Sequence, residues 1–204
     1  MLDEIRSKNP GIRILELNHK TFRDYGVILD TDVSEAINVY EGIFTPPEAG
    51  GEYIASVPEL EAVPCIQQIA KDVFGGMPFQ AGICIGYCRE ADAMEYHQCS
   101  EALIMVRDCL LVLGKRSDVQ DGSYSLKNAE IFFAPKGTAL EMFAATLHYM
   151  PLHTEGHLAT ICLLTRGTNA EIAEPFGLVT AWNKFIYTQD GQPGGPLKDA
   201  FSIL

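Results

Sequence analysis

The densest run of side chains able to bind a metal or move a proton is Glu95-Tyr96-His97-Gln98-Cys99-Ser100-Glu101. In an extended chain, side chains alternate between faces. Glu95 and His97 then point the same way, and Glu101, four positions further on, shares their parity. Two carboxylates and an imidazole arriving from adjacent strands supply three donors to a divalent ion that accepts mixed oxygen and nitrogen ligands. A fourth donor has to come from elsewhere, and His148, His153, His157 and His19 are the candidates. His148 stands out because apolar residues surround it, and an imidazole in that setting needs a partner. The competing reading is ordinary: solvated carboxylates at Glu95 and Glu101, and a hydrogen-bonded strand histidine at 97.

A proton-transferring group would complete such a site. Glu141 and Tyr149 flank His148, although strand parity puts Glu141 on the opposite face. Lys136 lies in the turn Pro135-Lys136-Gly137, where solvation competes with a substrate contact. Cys99 reads as a small packed residue rather than a nucleophile. The chain contains no Gly-x-Ser-x-Gly elbow, P-loop or dinucleotide fingerprint.

The elements that must position these groups fall into two textures. Residues 1–20 predict a helix-prone lead-in ending at Asn9-Pro10-Gly11, Phe22–Leu29 a first strand region, and Ser34–Tyr40 a helix capped by Ser34. Pro46-Pro47 and Gly50-Gly51 mark Thr45–Val57 as a loop. Glu59–Phe74 carries apolar residues at helical spacing, with Pro64 in a first turn. From residue 78, short apolar or alternating runs follow one another, separated by turn chemistry at Asp121-Gly122-Ser123, Lys136-Gly137-Thr138 and Arg166-Gly167-Thr168. Such spacing predicts an antiparallel sandwich or barrel over 78–188, with helices from the lead-in 1–77 packed outside, all in one domain. Residues 190–197 read as an irregular surface tail, and Trp182, the only tryptophan, as a packing or dimer anchor.

Composition narrows the partners. The chain has 204 residues and a net charge of −12. That balance disfavours nucleic acid and anionic membrane surfaces, both of which recruit clustered Lys and Arg. Six cysteines without a Cys-x-x-Cys pair, and an N-terminus without the layout of a secretory signal, predict a cytoplasmic protein with free thiols.

These motifs resemble those of cupins. Glu95-x-His97-x3-Glu101 is similar to the first cupin motif with Glu in place of the leading His. Pro135-Lys136-Gly137 is similar to the second, although Leu140 stands where a histidine is usual. Within cupins, the order Phe22-x-x-Tyr25-Gly26-x-Ile28, Glu95-Tyr96-His97, Leu147-His148-Tyr149-Met150-Pro151 and Arg166-Gly167 resembles ureidoglycolate lyases. An uncharacterised cupin-like family shares the Glu-Tyr-His and Leu-His-Tyr segments. The resemblance implies a mainly β jelly-roll barrel and a homodimer. With Glu101 it implies a site like that of metal-dependent sugar isomerases. One divalent metal (Zn, Mn, Fe, Co or Ni) on Glu95, His97, Glu101 and His148 would then act on a small polyhydroxy or hydroxy-acid substrate, by isomerisation, epimerisation or lyase cleavage. The alternatives are a metal-free lyase using His97 and His148 directly, and a non-catalytic sugar- or metabolite-binding protein.

Overall fold

The computed structural model describes residues 1–173, 183–191 and 194–204. The chain opens with α1 (Leu2–Lys8), β1 (Ile14–Glu16), β2 (Gly26–Leu29), α2 (Ser34–Ile43), β3 (Gly51–Ile54), α3 (Pro58–Glu61) and α4 (Pro64–Phe74). Next come β4 (Phe79–Gly86), β5 (Glu90–Ala91), β6 (Ala93–Tyr96), β7 (Glu101–Met105), β8 (Cys109–Lys115) and β9 (Tyr124–Ser125). They are followed by β10 (Glu130–Ala134), β11 (Ala139–Met142), β12 (Thr146–Leu147), β13 (Leu152–His153) and β14 (Leu158–Thr165). β15 (Phe185–Thr188), β16 (Gly195–Lys198) and β17 (Phe201–Ser202) lie near the C-terminus.

The strand order defines the architecture. One sheet runs β2-β11-β7-β14-β4-β3, and the facing sheet runs β1-β10-β8, with β12 and β13 both pairing to β8. A bridge between Glu95 and His148 ties β6 in beside β12. Strands 4, 14, 7 and 11 thus oppose strands 6, 12/13, 8 and 10. This is the interlocked order of a jelly roll, in which an antiparallel ribbon coils until early and late strands alternate. The mainly β barrel with helices outside agrees with the cupin-type reading of the sequence.

Both faces of the first sheet are covered. Leu103, Met105, Leu140, Leu158 and Cys162 point inward to meet Leu111, Leu113 and Phe132 of the facing sheet. Ala81, Ile83, Ile104 and Ile161 point outward under Ile37, Tyr40, Ile66 and Ile69 of the helices. Burial on both faces is why Ala102–Val106 and Ile161–Leu164 are continuous apolar runs rather than alternating ones. The outer face of the second sheet packs Leu110, Val112 and Ile131 against Ile5, Tyr124, Leu197 and Ile203.

Several expectations change. Residues 59–74 form two helices, because Pro64 has no N–H to continue the first and starts the second. Ser34 does not cap α2 with its side chain; Asp32 accepts from both its N–H and its hydroxyl. The 45–57 loop contains β3, paired to β4. The lead-in is helical only over Leu2–Lys8, and Ile14–Glu16 pairs in parallel with β10. Strands from 1–77 therefore extend the same sheets as those after 78. In the tail, Gly195–Lys198 is a strand held between β15 and β9, with Leu197 buried. Trp182 lies outside the described residues. No helix among those described is long and apolar enough to cross a membrane.

Candidate metal centre

Four inward-facing side chains meet where β6, β7 and the segment after β12 come together. Glu95 and His148 exchange backbone hydrogen bonds, Glu95 N–H to His148 O at 2.6 Å and His148 N–H to Glu95 O at 2.8 Å. Behind β6, β15 pairs Ile186 with Glu95. His97, just past β6, accepts from Ala145 N–H at its carbonyl. Glu101 opens β7 opposite Met142 of β11. Parity then turns Glu95, His97 and Glu101 into the barrel, while Met94 and Tyr96 face the outer core.

The donor atoms converge. Ligand atoms of Glu95, His97 and His148 all lie within 4.8 Å of one another, and all three residues are buried. Glu101 Oε2 stands 2.9 Å from His148 Nε2 and 3.4 Å from His97 Nε2, and Glu95 Oε1 is 3.7 Å from His97 Nε2. His148 donates Nδ1–H to the Thr146 carbonyl at 2.9 Å, which leaves Nε2 turned to the cluster. That backbone partner is the arrangement that orients metal-binding imidazoles. His97 is 2% exposed; its Nε2 faces the Glu95 and Glu101 carboxylates, and its Nδ1 has no hydrogen-bond partner. A buried imidazole nitrogen left without a hydrogen bond is costly, and a ligand bound at this cluster would offset that cost. A borderline-soft cation fits the donor set of two imidazoles and two carboxylates.

Electrostatics inside the cluster are strongly coupled. Burial pulls the Glu101 carboxyl upward, but His148 and then His97 outweigh it and hold Glu101 at about 2. Burial likewise pushes His148 down, and the Glu101 charge and hydrogen bond reverse this, leaving it above its ordinary value. Glu101 and His148 thus each favour the other's charged form.

The cavity beside this cluster has a volume of about 90 Å³. Glu95, Glu101, His148 and Tyr149 line it, with Leu103, Met150 and Pro151 as apolar wall. Burial, then the nearby Glu95 charge, pushes the Tyr149 hydroxyl up to about 12. Sequence reasoning missed Tyr53, Cys84, Cys162, Asn169 and Lys184, which also line it. Cys84 and Cys162 were legible as inward positions of apolar strands. Tyr53 comes from a segment read as a loop, and Lys184 from the end of the expected 78–188 barrel, where no periodicity pointed inward.

Other expected residues lie elsewhere. Glu141 alternates with inward-facing Leu140 and Met142, so it points out of the barrel, away from the cavity. Lys136 is exposed and pairs with Glu41 at 2.9 Å. His153 is fixed by the Cys88 backbone and accepts from Arg89 Nε, and His157 accepts from Arg107 Nε. His19 caps a short 3-10 turn through Thr21. Cys99 contacts Thr168 at 3.3 Å rather than the cluster.

A family model described as a domain of unknown function (DUF4867) matches residues 14–192. No curated protein matches the chain. Among solved structures, the chain is similar to an oxalate decarboxylase at 9% identity, with a TM-score of 0.38 over 60% of this chain and 28% of that one. It is similar also to procruciferin, an 11S globulin from Brassica napus, at 8% identity, with a TM-score of 0.39 over 71% of this chain and 28% of that one. The chain thus spans little more than a quarter of the length of either, and the jelly roll is established here by strand order alone.

Proposed function

The chain belongs to the DUF4867 family, and for it we propose a metal-dependent enzyme acting on a small polyhydroxy or hydroxy-acid metabolite. The observation that carries this reading is the convergence of buried donor atoms from Glu95, His97 and His148, with Glu101 in contact with both imidazoles. Those four residues would hold one divalent ion. Such an ion supplies Lewis-acid polarisation of adjacent hydroxyl and carbonyl oxygens, which eases proton removal next to the carbonyl.

The chain's own residues do the rest. Thr146 and the Glu95–His148 backbone bridge fix the orientation of His148. Leu103, Met150 and Pro151 exclude water from one side of the cavity. The raised Tyr149 hydroxyl keeps its proton at neutral pH, so it donates to a developing oxyanion rather than acting as a base. Isomerisation and epimerisation share this proton transfer, whereas cleavage of a ureidoglycolate-like acid would take the proton from its hydroxyl as the C–N bond breaks and urea leaves.

Metal analysis of the purified protein tests the reading. About one divalent ion per chain is expected, retained by the parent and lost by the His97→Ala/His148→Ala variant. Full occupancy in a folded double variant removes the metal centre from these residues. Turnover by chelator-treated protein equal to that of the untreated protein would instead favour the metal-free lyase.

A further inference from the structure

We infer that Tyr53 and Asn169 form a hydroxyl-recognising pair in the wall of this cavity, and that the ligand carries a hydroxyl beyond the oxygens a metal would hold; the inference rests on the cavity being the ligand site, as in the reading above. Both residues line the same space as Glu95, Glu101 and His148. Asn169 Oδ1 is buried and has no hydrogen-bond partner. A buried amide oxygen left unpaired is costly, and a ligand group that donates to it removes that cost.

The neighbouring phenol narrows what that group is. Burial pushes the Tyr53 hydroxyl well above its ordinary value, and a hydrogen bond from the Asn169 side chain offsets part of this. The phenol therefore stays protonated at neutral pH, and an oxygen that accepts from an amide N–H still has its own proton to give. The pair thus presents one acceptor, Asn169 Oδ1, and one donor, the Tyr53 O–H. Turning the amide over only exchanges these roles between the two residues. A single ligand hydroxyl answers both, since it donates and accepts at once, whereas a carboxylate or a carbonyl only accepts.

Two elements hold the pair in place. Tyr53 of β3 pairs with Cys84 of β4, whose side chain faces into the barrel. Tyr53 is 37% exposed, at the open side of the cavity. β3 lies three strands from β7, which Glu101 opens, in the order β7-β14-β4-β3. A ligand held at the metal cluster by one end thus meets the pair with another part of its chain. Asn169 follows β14 in a turn closed by Ala170 N–H donating to Gly167 O at 3.2 Å, and its φ of 61° is a left-handed conformation that Asn tolerates.

The test measures ligand binding to the full, cobalt(II)-loaded chain by calorimetry, with ligand pairs that differ by one hydroxyl. These are dihydroxyacetone and hydroxyacetone, glycerate and lactate, and 2,4-dihydroxybutyrate and 2-hydroxybutyrate. The parent should prefer the hydroxyl-rich member of at least one pair by about tenfold, the scale of one hydrogen-bonded group in a buried site. Tyr53→Phe keeps the ring and Asn169→Gly keeps the left-handed turn, and each should abolish most of that preference. Cobalt content and affinity for the hydroxyl-poor member should stay at parent values. No preference in the parent, binding to none of the six included, or a preference unchanged in either variant, overturns the inference while the cobalt site stands. A parent that retains no cobalt overturns the metal reading alone, and the same titrations on the metal-free protein then decide this inference.

Discussion

Glu101 and His148 make opposite demands on pH, and the metal-free protein must show both. Glu101 lies below its ordinary value of 4.5, so its contribution to stability is complete above 4.5 and is lost as pH falls toward about 2. His148 lies above its ordinary value of 6.5, so its contribution is complete below 6.5 and is lost as pH rises through the raised value. Thermal melts of chelator-treated protein should therefore reach maximal stability between 4.5 and 6.5. Glu101→Gln should flatten the profile. Added divalent ion should restore stability on the alkaline side, because binding to the folded state alone stabilises it by mass action. An unchanged profile in Glu101→Gln contradicts the coupling of Glu101 to His148. At this scale the sequence was most informative: parity placed Glu95, His97 and Glu101 on one face, and an apolar setting singled out His148. It was silent on Lys184 and Asn169, since a single charged or amide residue in a polar segment carries no periodicity.

Elements were legible where burial imposes a period and obscure where tertiary pairing overrides local chemistry. The apolar spacing of Pro64–Phe74 sufficed to read a helix, because only one face of α4 is buried. β3 was hidden by the Pro and Gly residues around it and by its own exposure. It exists because β4 offers an edge, and Gly82 lets the chain press against that edge. A Cβ at Gly82 would stand 2.0 Å from Ile54 O and 2.7 Å from Ala55 O. Gly82→Ala should thus destabilise the fold by about 1–3 kcal/mol, as overpacking does. It should also displace β3, and with it Tyr53 in the cavity wall. Gly76→Ala, which meets nothing within 4 Å, is the control and should stay within about 0.5 kcal/mol of the parent. Urea denaturation compares the two, and equal midpoints would show that β3 is not held at Gly82.

Across the whole molecule, the segment after 182 belongs to the site as much as the barrel does. β15 pairs with β6 along Phe185–Thr188, and Phe185 stacks on Tyr96 with ring centroids 4.6 Å apart. Leu197 and Ile203 share a core with Ile5 of α1, and Leu204 N–H donates to Asn9, which closes the two ends of the chain on each other. The barrel itself closes through β14 and β4, whose eight-residue pairing does not involve this segment. Removing residues 183–204 should therefore spare the β-sheet signal in circular dichroism while loosening β6, whose Glu95 and adjoining His97 face the cluster. Loss of outer support for metal-binding residues costs about 10–100-fold in affinity, and a fall of that size is expected in a metal titration of the truncated chain. The negative surplus of the surface plays no part in this, since Glu95 and Glu101 are interior charges that a cation, Lys184 and the imidazoles answer. If the truncated chain keeps its β-sheet signal and binds the ion as the full chain does, β6 is oriented by the β12 segment alone.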